Sequence, residues 1–192
     1  RERVSAELTV RTRRTPFLIR KTLTISDGLG SLEIAETVTN EGRYPMEFMW
    51  GHHPAFGAPL LSEDTYVTTG ARTARLDPGE DPDSRFSGET IAPPTAVPGR
   101  SGEPIDILRT PGPSDVVSDM FYLTDLDEGF YALTNMSLGL GFAMEFDPAV
   151  FGCIWYWIAC NAPRGAPFHG RSYTVALEPF TSWPAILTHA IE

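Results

Sequence analysis

The sequence has a single lysine, Lys21, two cysteines, Cys153 and Cys160, and no apolar run of membrane-spanning length. Each scarcity excludes something. Its 15 basic residues face 25 acidic ones, for a formal charge of −10 and a pI near 4.8. Nucleic acids and anionic membrane surfaces are bound through clustered Lys and Arg, so neither is an expected partner. The longest apolar stretch, Phe151 to Cys160, falls well short of the roughly 20 residues a spanning helix needs. No secretory leader is expected, because Arg1-Glu2-Arg3 runs directly into alternating sequence without an apolar segment or a small-residue cleavage site. Cys153 and Cys160 lie an odd number of residues apart on an expected strand, face opposite ways, and are not expected to pair. A reducing, cytoplasmic setting follows. The sequon Asn135-Met136-Ser137 matters only in a secreted chain and is set aside.

What is present is strand-like. A chain of 192 residues, 42% of them hydrophobic, can bury one sizeable core, and a single domain over 1–192 is expected. Apolar residues recur at every second position in Val4, Ala6, Leu8 and Val10, and again in Leu32, Ile34 and Val38, where Glu36 interrupts the alternation. Phe17 to Ile25 reads as a strand between them, closed by the turn Ser26-Asp27-Gly28, and Met46 to His53 as the strand that follows Asn40-Glu41-Gly42. From about 59 to 118, repeated Pro and Gly predict a long surface loop placed to cover a pocket mouth. Further strands are expected at Met120 to Leu123, Phe130 to Asn135, Leu138 to Phe146, Ile154 to Cys160, Tyr173 to Leu177 and Ala185 to Ile191. About ten antiparallel strands and no helix beyond a turn or two predict an all-β sandwich or barrel.

Three segments carry residues suited to chemistry. In Trp50-Gly51-His52-His53-Pro54-Ala55-Phe56 a strand ends in two histidines, and imidazole, with a reference pKa of about 6.5, exchanges protons at neutral pH. Hydrogen-bonded structural histidines account for the pattern equally well. A shared metal would require both rings on one side, whereas neighbours on a strand point apart, so no metal ligand is assigned. In Tyr173 to Pro184, the parity that sends Tyr173, Val175 and Leu177 to the core leaves Thr174, Ala176 and Glu178 on the other face. Phe180 and Trp183 offer flat surface to a sugar ring. A carboxylate in such a half-apolar pocket has its pKa raised from about 4.3, as a general base requires; a solvated Glu, or one paired with Arg171, is the plain alternative. Asp119 precedes the third segment's aromatic strand, a position usually explained by turn chemistry. In Trp155-Tyr156-Trp157, one of the two alternating sets belongs to the core.

Taken in this order, the stretches His53-Pro54-Ala55-Phe56, Asp119-Met120-Phe121 and Leu177-Glu178-Pro179 to Pro184 resemble the aldose 1-epimerase (galactose mutarotase-like) family. The resemblance implies a large antiparallel β-sandwich, the family's supersandwich, with a pocket on its concave face. It implies Glu178 as the base that deprotonates the C1 hydroxyl, His53 as the acid that protonates the ring oxygen, and Asp119 as an anchor for sugar hydroxyls. His52, Phe56 and Trp183 complete the expected substrate contacts. No cofactor is implied, and the partner is a small-molecule sugar. The family's N-terminal strands, which bring an Arg and a further His, have no counterpart here, so the resemblance implies a C-terminal portion of a longer protein. His52 also stands where family members commonly have Asn. Two other readings remain open: a noncatalytic carbohydrate-binding protein of the same fold, and a metal-dependent β-barrel enzyme using His52, His53 and Glu178. Phosphorylated sugars would require arginines at the pocket mouth, for which Arg164 and Arg171 are the candidates.

Overall fold

A computed structural model describes residues 2–79, 81–162 and 164–190. The chain divides into two compact units, Arg1–Phe48 and Met49–Glu192.

The first unit is an antiparallel meander of β1 (Arg3–Arg11), β2 (Phe17–Ser26) and β3 (Leu32–Asn40), as the period-two pattern predicts. Its register places Val4, Ala6, Leu8 and Val10 on the same face as Ile19, Leu23, Ile25, Ile34 and Val38. The interruption at Glu36 is resolved by pairing: Lys21 lies opposite Glu36, and the two side chains form an ion pair at 2.7 Å on that otherwise apolar face.

The second unit holds β4 (Ala55–Phe56), β5 (Thr65–Leu76), β6 (Ile91–Ala92), β7 (Val97–Pro98), β8 (Pro104–Ile105), β9 (Val117–Asn135), β10 (Leu140–Glu145), β11 (Cys153–Cys160), β12 (Tyr173–Phe180) and a four-residue helix, α1 (Leu187–Ala190). Seven of these strands form one antiparallel sheet in the order β4-β12-β11-β9-β5-β6, with β10 beside β9, while β7 and β8 pair separately. One face of this sheet is the core, where Phe121, Leu123, Ile154, Tyr156, Val175 and Leu177 pack with Leu61, Phe86, Val97 and Ile107.

Those last four residues correct the expectation of a surface loop over 59–118. The stretch contains the 12-residue β5, and its isolated apolar residues are anchors buried beneath the sheet. The alternation in β5 is obscured by Gly70, Arg72 and Arg75, and a bulge between Thr69 and Ala71 shifts its register against β9. A Cβ on Gly70 would sit 2.2 Å from the Glu128 carbonyl, so glycine is what permits the bulge. The two strands expected at 120–123 and 130–135 are one 19-residue strand that kinks at Asp125, where φ is +55°. At the C-terminus, bends and α1 replace the strand expected from Ala185, whose last residue, Ile191, lies outside the described residues. Asn135 is buried and donates through Nδ2 to the Leu60 carbonyl and to Ser62 Oγ, which is structural work for the sequon asparagine. Among the described residues no helix is long and apolar enough to cross a membrane.

Candidate active site

The segment from Trp50 to Phe56 runs antiparallel to β12 in a constant register. Thr181 N bonds the Trp50 carbonyl, Gly51 bridges Phe180, His52 N bonds the Pro179 carbonyl, Leu177 N bonds the Pro54 carbonyl, and Ala55 lies opposite Ala176. The same register sets His53 opposite Glu178. The strand expected at Met46 to His53 nevertheless does not form, because Pro54 and Pro179 contribute no N–H and leave rungs missing from the ladder. Gly51 is required by contact: a Cβ there would lie 2.5 Å from the Phe180 ring, which stacks on Trp155 at 3.7 Å and 5°.

This register brings His53 Nδ1 to 2.6 Å from Glu178 Oε1. The carboxylate is almost fully buried, with 8% of its side chain exposed, whereas 59% of the imidazole is exposed. Burial raises the Glu178 pKa above the ordinary carboxylate range, and the hydrogen bond and charge of His53 partly pull it back. With Nδ1 committed to the carboxylate, Nε2 is the nitrogen that can meet a ligand. The pair is therefore an acid and base on one hydrogen bond, its acidic member in low dielectric and its imidazole open to solvent.

Pairing carries the Glu178 face across the sheet. Glu178 lies opposite Trp155, Trp155 opposite Tyr122, and Tyr122 opposite Arg75, a row over four strands. The adjacent row runs Ala55, Ala176, Trp157, Met120. The Trp157 ring centroid lies 6.1 Å from that of His53, so aromatic surface adjoins the pair directly. Of the Trp155-Tyr156-Trp157 set, Tyr156 belongs to the core and the tryptophans to the site.

The expected site residues divide between two faces. His53 and Glu178 meet. His52 points away from them, against Phe151 at 5.6 Å. Asp119 is a correction: it pairs with Ile158 on the core face, and its carboxylate accepts hydrogen bonds from Ser84 Oγ, Arg85 N and Arg85 Nε at 2.8, 3.0 and 2.7 Å. It has no side-chain exposure and does not reach Glu178. Phe56 is a second correction, since it pairs with Val175 and packs on Phe142 and Tyr131 on the core side. Trp183 is on the correct face but over Tyr122, with ring centroids 5.9 Å apart, rather than beside Glu178. Arg164 is ion-paired to Asp83 at 2.8 Å. Tyr122 and Arg75 are not singled out from sequence; their parity relative to Glu178, once strand pairing is known, is the signal that finds them. Cys153 and Cys160 are both free and buried. Among the described residues no three His, Cys, Asp or Glu side chains come together as metal ligands do.

The family profile described as "Domain of unknown function (DUF4432)" matches residues 7–191, and the chain belongs to that family. A crystal structure from Klebsiella pneumoniae subsp. pneumoniae MGH 78578, of a protein described as a "putative aldose 1-epimerase", is similar in fold. The TM-score is 0.68 and the identity 19%, with 94% of this chain covered. The chain spans 42% of that protein's length. The fold is accordingly that of the antiparallel, aldose-epimerase-like β-sandwich. No curated protein sequence matches the chain.

Proposed function

We propose that this DUF4432 member interconverts the anomers of a sugar at C1, with Glu178 and His53 as the proton-transferring pair. The observation that carries the proposal is the 2.6 Å contact between a buried carboxylate of raised pKa and an exposed imidazole, beside Trp157. Glu178 takes the proton of the C1 hydroxyl while protonated His53 gives one to the ring oxygen. The C1–ring oxygen bond breaks, the aldehyde forms, and C1 turns about its bond to C2. In the reverse step the imidazole takes back the ring-oxygen proton and the carboxylic acid returns the other, so the pair ends in its starting protonation state. No electron is transferred, and the route requires no cofactor. The partner is a small-molecule sugar. The two free cysteines suit a reducing compartment, the cytoplasm.

Polarimetry or NMR exchange on freshly dissolved aldoses tests the proposal. The intact protein accelerates equilibration of at least one aldose, and His53→Ala and Glu178→Gln each lower the rate by about 10²–10⁴-fold, the usual contribution of a positioned acid or base. Absence of acceleration across a sugar panel, or unchanged rates in both variants, would overturn it. The half-buried Trp155 and Trp157 on the Glu178 face support a second reading, carbohydrate binding without turnover. Calorimetric binding of a sugar that the protein does not equilibrate would favour that reading.

A further inference from the structure

The acid–base pair occupies one end of an aromatic face, and the opposite end holds a cleft that the proton chemistry leaves unused. This cleft, of about 810 Å³, lies within the size range of small-molecule sites. Its walls include Arg75, Asp77, Phe86, Tyr122 and Trp183. Trp183 is held against the two neighbours at the end of the row, with its ring stacked on Tyr122 and the Arg75 guanidinium 5.0 Å from its centroid, yet it remains 39% exposed. Tyr122 Oη donates to Asp77 and accepts from Ala185 N, which fixes the tyrosine beneath the tryptophan. A rigid aromatic ring rimmed by carboxylates and hydroxyls (Asp77, Asp81, Ser84) is suited to an apolar sugar face edged with hydroxyl donors.

Neither His53 nor Glu178 lines this cleft. Three strand spacings of about 4.8 Å place Glu178 about 14 Å from Arg75 along the row, farther than one sugar ring spans. A smaller cleft of about 260 Å³, lined by Trp157, Met120 and Asp119, adjoins the larger one and shares Asp77, Asp81 and Ser84 with it; neither His53 nor Glu178 lines it, and the Trp157 ring lies 6.1 Å from that of His53. Trp155 Nε1 donates to the Ser182 carbonyl at 3.0 Å and Ala185 N to Tyr122 Oη, which hold the segment that carries Trp183 against the sheet.

We infer that the Arg75–Tyr122–Trp183 cleft is a second carbohydrate subsite, and that the ligand has at least two sugar units. One unit stacks on Trp183 and the reducing unit lies at His53 and Glu178. The position of the reducing unit rests on the proposed anomer chemistry; the subsite itself does not. Calorimetric titration of the full chain with glucose, galactose and their disaccharides maltose, cellobiose and lactose tests it. At least one disaccharide binds about tenfold or more tighter than its reducing-end monosaccharide. Trp183→Ala, and separately Ser87→Trp, which fills the cleft from an exposed position on its wall, bring that ratio close to one. Equal affinity for every mono- and disaccharide pair in the parent protein, or a ratio that survives both substitutions, would overturn the subsite. A ratio that collapses in the variants of a protein with no anomerase activity would leave the subsite standing and remove the anomer chemistry. Turnover that depends on His53 and Glu178 without any disaccharide preference would do the reverse.

Discussion

Glu178 and Asp119 are both buried carboxylates on the central strands of one sheet, and they face opposite ways. Asp119 lies on the core face, where a backbone N–H, a hydroxyl and a guanidinium saturate it; every partner is a donor fixed by the fold. Glu178 is held by His53, whose ring is itself open to solvent. Burial alone therefore does not distinguish a structural carboxylate from a reactive one. The partner decides: a permanent cation with backbone support fixes the charge, whereas a titratable, exposed partner leaves it negotiable.

The strongest way to break this comparison is to remove Asp119. Asp119→Ala deprives Ser84 Oγ, Arg85 N and Arg85 Nε of their acceptor, and loss of one member of a buried pair costs about 3–5 kcal/mol. Glu178→Gln keeps the shape and one hydrogen-bonding oxygen opposite His53, and costs about 1 kcal/mol or less. Urea denaturation of the two variants side by side measures both. If Glu178→Gln proves the more destabilising, the assignment of roles to the two faces is wrong.

A smaller effect sharpens the same contrast. The Glu178 pKa is raised in the folded protein by burial, so between its ordinary value of 4.5 and the raised one the folded state holds a proton that the unfolded state has released. Stability contributed by that proton is fully present below the unfolded pKa and is lost as pH rises through the folded pKa. Denaturation midpoints of the parent protein therefore fall across this window more steeply than those of Glu178→Gln. Parallel pH dependences in the two proteins would show that Glu178 is not held protonated by burial.

How much of this was legible in sequence follows the same division of faces. The meander of the first unit and the strand nature of β11 and β12 were written in their alternation. The parity of β12 correctly separated Glu178 from Val175 and Leu177. Bringing His53 to Glu178 required the resemblance, because the segment that places His53 loses its ladder at two prolines and forms no continuous strand. Asp119 and Phe56 are assigned to the site because they belong to the motifs that carry the resemblance. A motif match carries no facing, and one step along a strand reverses it. The 59–118 stretch was read as loop because single apolar anchors between prolines have no period, although Phe86, Val97 and Ile107 are fully buried.

The smallest expected effect concerns a third carboxylate, the Glu36 that interrupts the alternation of β3. It pairs with Lys21 on the apolar face of the first unit; 9% of its side chain is exposed and 36% of that of Lys21. This pair resembles Asp119 and Arg85 in having a permanent cation, but its cation is wetter, so its Coulomb gain is largely offset by desolvation and screening. Replacing both members together, Lys21→Met with Glu36→Leu, removes both charges of the pair and fills the period-two pattern. The double variant is expected to match the parent stability within about 1 kcal/mol or to exceed it. Measurement at two protein concentrations separates folding from association through the newly uniform apolar face. A loss as large as that of Asp119→Ala would place this pair among the structural charges.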